Sequence, residues 1–173
     1  MKKIILYIII TVSFTSCGSY NSIDSFYEAH KNDNNVTAIQ VPRFMLSTVG
    51  NLIPEMNEFV GNIKDLRYIQ LNPKNDSESR LINSQINNLT TANFKELYRK
   101  NEDENRTLVS LRERRDVVKE IMIYSNKNNK NSILYLNGDF NPAKVREYAN
   151  DKKFDNLLNN FTNQYNVDSP ATN

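Results

Sequence analysis

The chain has 173 residues, with 22 Lys and Arg against 20 Asp and Glu, one histidine and one cysteine. A single cysteine excludes an internal disulfide, and one histidine beside it leaves too few ligands for a zinc or redox-metal site, so no cofactor is expected. The near balance of charge removes the bulk electrostatic case for nucleic acid as a partner, and with only 4 glycines there is no glycine-rich phosphate loop.

Met1-Lys2-Lys3 is a basic start, Ile4 to Phe14 is a nearly unbroken apolar run, and the small residues Thr15 and Ser16 precede Cys17. A mature membrane helix needs about 20 apolar residues, whereas a signal-peptide core needs roughly 7 to 15. The pattern predicts a bacterial lipoprotein signal over residues 1–16, with the Cys17 thiol alkylated by diacylglycerol and its new amino group acylated after cleavage. An ordinary secretory signal with an incidental Cys17, or a short membrane anchor, are the alternatives. Removing 16 residues takes Lys2 and Lys3 with it and leaves 157 residues, with 20 basic and 20 acidic side chains. A domain of that size buries about two-thirds of the surface its unfolded chain exposes, so it needs no staples. Gly18 in place of aspartate points to the outer membrane, and the absence of an acidic cluster after Cys17 points to the periplasmic side. The expected partners are the membrane, through the N-terminal lipid anchor, and an envelope protein.

Residues 17–34 read as a lipid-anchored tether with one short helix, on which Ile23, Phe26 and Tyr27 share a face. A β-branched run at 36–41 predicts a strand stopped by Pro42, followed by a brief apolar helix with Phe44, Met45, Leu46 and Val49, ending near Gly50. Pro54 starts a second helix carrying Met56, Phe59, Val60 and Ile63, and the alternating run 67–71 predicts a strand before Asn72-Pro73. Ile82, Ile86 and Leu89 form the stripe of a long helix begun near Asp76 or Ser77. Asn93 with Glu96 reads as a capping box for another helix over 93–100, bearing Phe94, Leu97 and Tyr98, before an acidic turn at 102–105. Strands at 107–114, 117–124 and 132–137 follow too closely for crossover helices, so they form an antiparallel meander. The last ends at Gly138-Asp139, and Asn141-Pro142 caps and starts a helix. Phe154, Leu157, Leu158, Phe161 and Tyr165 then share one helical face in residues 151–173, before a polar end. That face either docks on the domain's own sheet or binds a partner. The expected fold is α+β, an antiparallel sheet of about five strands with helices packed mainly on one face.

In order, the strand-to-helix step at 36–46, the run Lys64-Asp65-Leu66-Arg67-Tyr68-Ile69-Gln70-Leu71, the segment Phe94-Lys95-Glu96-Leu97-Tyr98-Arg99-Lys100, the paired strands and the closing Gly138-Asp139-Phe140-Asn141-Pro142 resemble the DUF4252 family of uncharacterised Bacteroidetes lipoproteins. The resemblance runs from Ile23 to Tyr148 and places a DUF4252-like domain over residues 35–150. It departs at Pro42 and in the added C-terminal helix. It implies an envelope lipoprotein with no assigned activity, and a link to envelope stress signalling.

Residues with chemical potential are few. A Ser-His-Asp nucleophile would have to use His30, and no serine sits in a Gly-x-Ser-x-Gly setting. Glu102-Asp103-Glu104 lacks the glycine of a calcium loop. Arg112, Arg114 and Arg115, around Glu113, offer a basic patch for phosphate headgroups or an acidic partner, or a solvated hairpin end. Asp139 stands where strand gives way to helix, either as a functional carboxylate or as a structural turn and cap. A non-enzymatic binding or scaffolding module is the expected function. The alternatives are a cell-wall or lipid hydrolase using carboxylates such as Asp139 and Glu113, and an accessory protein in envelope stress signalling.

Overall fold

The computed structural model describes residues 20–102, 105–127 and 129–165. The signal segment with Cys17, Asp103 and Glu104 of the acidic turn, and the polar end from Asn166 lie outside the described residues. In chain order the elements are α1 (Ile23–His30), β1 (Val36–Val41), a 3-10 turn (Arg43–Met45), α2 (Leu46–Leu52), a second 3-10 turn (Pro54–Met56), α3 (Asn57–Val60), β2 (Ile63–Leu71), α4 (Asp76–Asn93), β3 (Lys95–Glu102), β4 (Asn105–Arg114), β5 (Val117–Lys127), β6 (Lys130–Phe140), α5 (Pro142–Asn150) and α6 (Lys153–Tyr165).

The protein is α+β, built on one antiparallel sheet of six strands in the order β1-β2-β6-β5-β4-β3. The sixth strand is β3, where the sequence predicts a helix. Asn93 is instead the last residue of α4, and the Phe94 N–H donates to Thr90 O at 3.0 Å, closing that helix. Residues 95–102 instead pair with β4, and a bulge between Glu96 and Tyr98 lets the consecutive residues Leu97 and Tyr98 both reach the core. Pairing with an available edge outweighs the weak helical preference of so short a segment.

β2 and β6 also start and stop differently from the sequence reading. Ile63 opens β2 rather than closing a helix, and β6 runs through Gly138 to Phe140. The two are linked: Ile63 pairs with Gly138, and the Asp139 N–H donates to Asn62 O at 3.2 Å. A Cβ on Gly138 would run into the Asn62 carbonyl and lie 2.8 Å from the Phe140 ring, so glycine is what permits the close approach.

The meander from β3 to β6 returns β6 to the middle of the sheet, against β2. The chain must therefore travel from β2 to the far edge at β3, a path of four strand spacings or about 19 Å. The 18 residues of α4 span about 27 Å, enough to cross. In crossing, α4 lays Ile82, Ile86 and Leu89 on Ile69, Leu108, Met122, Tyr124 and Ile133, while α1 adds Ile23, Phe26 and Tyr27. The other face carries more helices, as expected. There α2, α3, α5 and α6 bury Val49, Phe59, Val145, Phe154, Leu157 and Phe161 on Leu66, Tyr68, Val109, Ile121, Ile123, Leu134 and Leu136. The C-terminal helix thus docks on its own domain. Coverage of both faces explains why Ile121 to Tyr124 and Ile133 to Leu136 are continuous apolar runs without polar alternation.

Leu134 lies at the centre of this core with no exposed surface. Urea unfolding of Leu134→Ala should show a loss of about 2–5 kcal/mol, against a change within about 0.5 kcal/mol for the exposed Phe44→Ala. Gly138→Ala, which adds volume where backbones nearly touch, should cost about 1–3 kcal/mol in the same assay.

Candidate functional site

The fold brings the predicted residues to one end of the sheet, where β4 and β6 finish and β2 and β5 begin. Arg114 and Arg115 form the tip of the β4–β5 hairpin: Arg114 pairs with Val117, leaving Arg115 and Asp116 as a two-residue loop with φ of 51° and 59°. That is the backbone twist hairpins favour, held here without glycine. Arg112 stands one strand step back and is ion-paired with Glu120 of β5, whose side chain is nearly buried. Glu113 accepts from Arg146 of α5 at 3.2 Å.

Asp139 sits between Lys119 of β5 and Lys64 of β2, one carboxylate oxygen on each ammonium. These two cations hold its carboxyl below the usual carboxylate range. No sequence rule announced Lys64 and Lys119 as partners, because they come from the two strands that flank β6, each at a shift in register.

A further network, around the middle of β2, went unseen in the sequence. Arg67 of β2 lies 2.5 Å from the Asp24 carboxylate of α1 and 2.8 Å from that of Asp65, the latter as an ion pair not aligned for a hydrogen bond. Its guanidinium also lies over the Tyr27 ring at 5.3 Å, and Gln40 donates to Asp65 at 2.9 Å. These contacts pin α1 and β1 to β2. Burial pushes the neighbouring Tyr135 phenol upward, and Asn137 donates to it at 3.4 Å.

Beside Asp139 the end of the sheet opens into a groove of about 560 Å³, walled by Arg43, Phe44, Leu46, Val60, Lys64 and Asp139. Phe44 is 81% exposed, and Met45 and Leu52 project from the same helical segment. Of the four apolar residues read from the sequence as one short helix face, Leu46 and Val49 are buried while Phe44 and Met45 are exposed. The reason is geometric: residues 43–45 form a 3-10 turn, so the stripe does not continue into α2 with helical phase. Arg43 fixes that turn by donating to Lys64 O at 3.0 Å.

His30 is a packed residue. Its Nδ1 is 2.9 Å from Asp33, its ring lies 4.6 Å from Phe26 and 5.5 Å from Tyr20, and its Nε2 is buried without a hydrogen bond to any described residue. Among the described residues no three His, Cys, Asp or Glu side chains converge as metal ligands would. No helix among them is long and apolar enough to cross a membrane.

Neither the curated proteins nor the solved structures give a match to this chain. The six strands lie within residues 27–148, a span that also takes in the second half of α1 and most of the helix after Asp139, and over it the chain matches the family described as Domain of unknown function (DUF4252). The chain belongs to the DUF4252 family.

Proposed function

We propose that the protein is a lipid-anchored envelope protein that binds or scaffolds another envelope component without catalysing a reaction, facing the periplasm from the outer membrane. The groove at Phe44 carries this reading. A large aromatic side chain held 81% exposed on a fixed turn, with buried apolar residues behind it and ion-paired charges at its rim, has the make-up of a recognition surface. The same groove supports the hydrolase alternative poorly. A general acid needs a carboxyl pushed up toward neutrality, and Asp139 is pushed down by Lys119 and Lys64. Glu113, the other carboxylate considered, is engaged with Arg146.

The address rests on the sequence before the domain. Ile23 follows Cys17 by six positions, at most about 20 Å of extended chain. An acylated Cys17 therefore keeps α1 close to the membrane.

Labelling cells with a palmitate analogue should tag the wild-type protein and leave Cys17→Ala untagged; a tagged Cys17→Ala protein refutes the anchor. By NMR titration the Asp139 carboxyl should deprotonate below the usual carboxylate range, and its midpoint should rise in Lys119→Gln. Because the folded state depresses this pKa, the clamp stabilises the protein above the unfolded carboxyl's midpoint and is lost as the pH falls through the folded one. Turnover of a wall or lipid fragment that disappears in Asp139→Asn would overturn the non-enzymatic reading.

A further inference from the structure

The opposite end of the sheet carries charge of another kind. β5 and β6 turn tightly there, placing Lys127 directly opposite Lys130 and Ser125 directly opposite Ser132. Residues so paired project from the same face of a sheet with Cβ atoms about 5 Å apart. α6 lies over this face, and between it and the hairpin is a cleft of about 380 Å³, lined by these four side chains and by Asn159 and Thr162.

Three features mark this cleft. Like charges directly opposite on neighbouring strands repel, yet none of the residues lining the cleft is acidic. Among the described residues no ion pair reaches either lysine, and Lys127 donates only to the neutral Asn159 side chain, at 2.9 Å. Finally, Ser125 is 5% exposed and its hydroxyl makes no hydrogen bond to any described residue, a cost that native structures rarely leave uncompensated. By contrast, Asp139 has both its lysines.

We propose that this cleft binds a phosphoryl group. Two facing ammonium groups match the charge of a phosphate monoester, about −1.5 to −2 at neutral pH. Its several oxygens meet donors on different sides: Ser125 and Ser132 from the sheet and the Asn159 amide from α6, while the Thr162 hydroxyl donates to Leu158 O at 2.9 Å and only borders the cleft. A carboxylate has one charge and two coplanar oxygens, which leaves one lysine uncompensated and the outlying hydroxyls unmet. The surface-groove reading does not depend on this site, nor the site on it.

The test is a titration of the purified protein with inorganic phosphate and, in parallel, with dihexanoyl phosphatidic acid, using dihexanoyl phosphatidylcholine as the control, followed by amide chemical shifts. Saturable shifts should centre on residues 125–132 and 158–163. Lys127→Gln and Lys130→Gln should each weaken binding about tenfold or more, the loss of one charge-assisted contact. The thermal midpoint of unliganded Lys130→Gln should equal or exceed that of the wild type, since a repulsion is removed, which separates lost binding from lost folding. Phosphatidic acid binding about tenfold tighter than phosphate assigns the group to a lipid headgroup, and phosphate binding as tightly or more so assigns it to a soluble ligand. Absence of binding by either probe, or binding unchanged in the Lys127→Gln/Lys130→Gln double variant, overturns the proposal.

Discussion

The structure depends on the burial of β6 and β5 from both sides. β6 enters the sheet last and takes a place between β2 and β5, where Ile133 and Tyr135 face one helical layer and Leu134 and Leu136 the other. A strand in that position must be apolar at every step, and it must fit against a partner laid down long before it in the chain. Gly138 marks the tightest point of that fit, where the backbones of β6 and β2 approach too closely for a side chain. The length of α4 follows from the same constraint. With β6 occupying the seat next to β2, the chain leaving β2 has to cross the whole meander before it can start β3.

Coverage of both faces leaves a polar cluster at each end of the sheet, and the ends differ. At one, Asp139 lies between two lysines, Arg112 on Glu120 and Arg146 on Glu113, with Arg114 and Arg115 of the hairpin tip outside these pairs. Such closed networks fix neighbouring strands and helices in register, and they leave the exposed Phe44 and the hairpin-tip arginines with unspent binding capacity. At the other end, two facing lysines and a buried serine hydroxyl remain uncompensated within the described residues. Satisfied pairs are the expected state of a structural surface, so the departure at the hairpin end is the more informative of the two.

Buried tyrosines connect these ends to the core. The Tyr68 hydroxyl donates to Gln70 at 2.8 Å and lies 3.3 Å from Thr162 of α6, while its ring stacks with Phe161 at 6.1 Å. On the other face the Tyr124 hydroxyl donates to Asn131 at 2.6 Å, and burial raises its pKa. Each places a polar atom where an aliphatic side chain would have none, and each uses it to tie a helix or hairpin to the sheet. The C-terminal helix is thereby held by a polar contact as well as by Phe154, Leu157, Leu158 and Phe161.

Local chemistry in the sequence determined much of this protein. The β-branched run at 36–41, the stripe Ile82, Ile86 and Leu89, the Asn141-Pro142 cap and the closely spaced strands after residue 105 each act through neighbours a few positions away, and each is found in place. The family was legible in the same way, as an ordered set of such segments. Tertiary structure decided the rest. Residues 95–102 are a strand because β4 offers an edge, Phe44 is exposed because a 3-10 turn breaks the phase of its helix, and Asp139 is clamped because two bulges bring Lys64 and Lys119 beside it. None of these follows from spacing along the chain, since the partner in each case lies on an element whose position is set by packing.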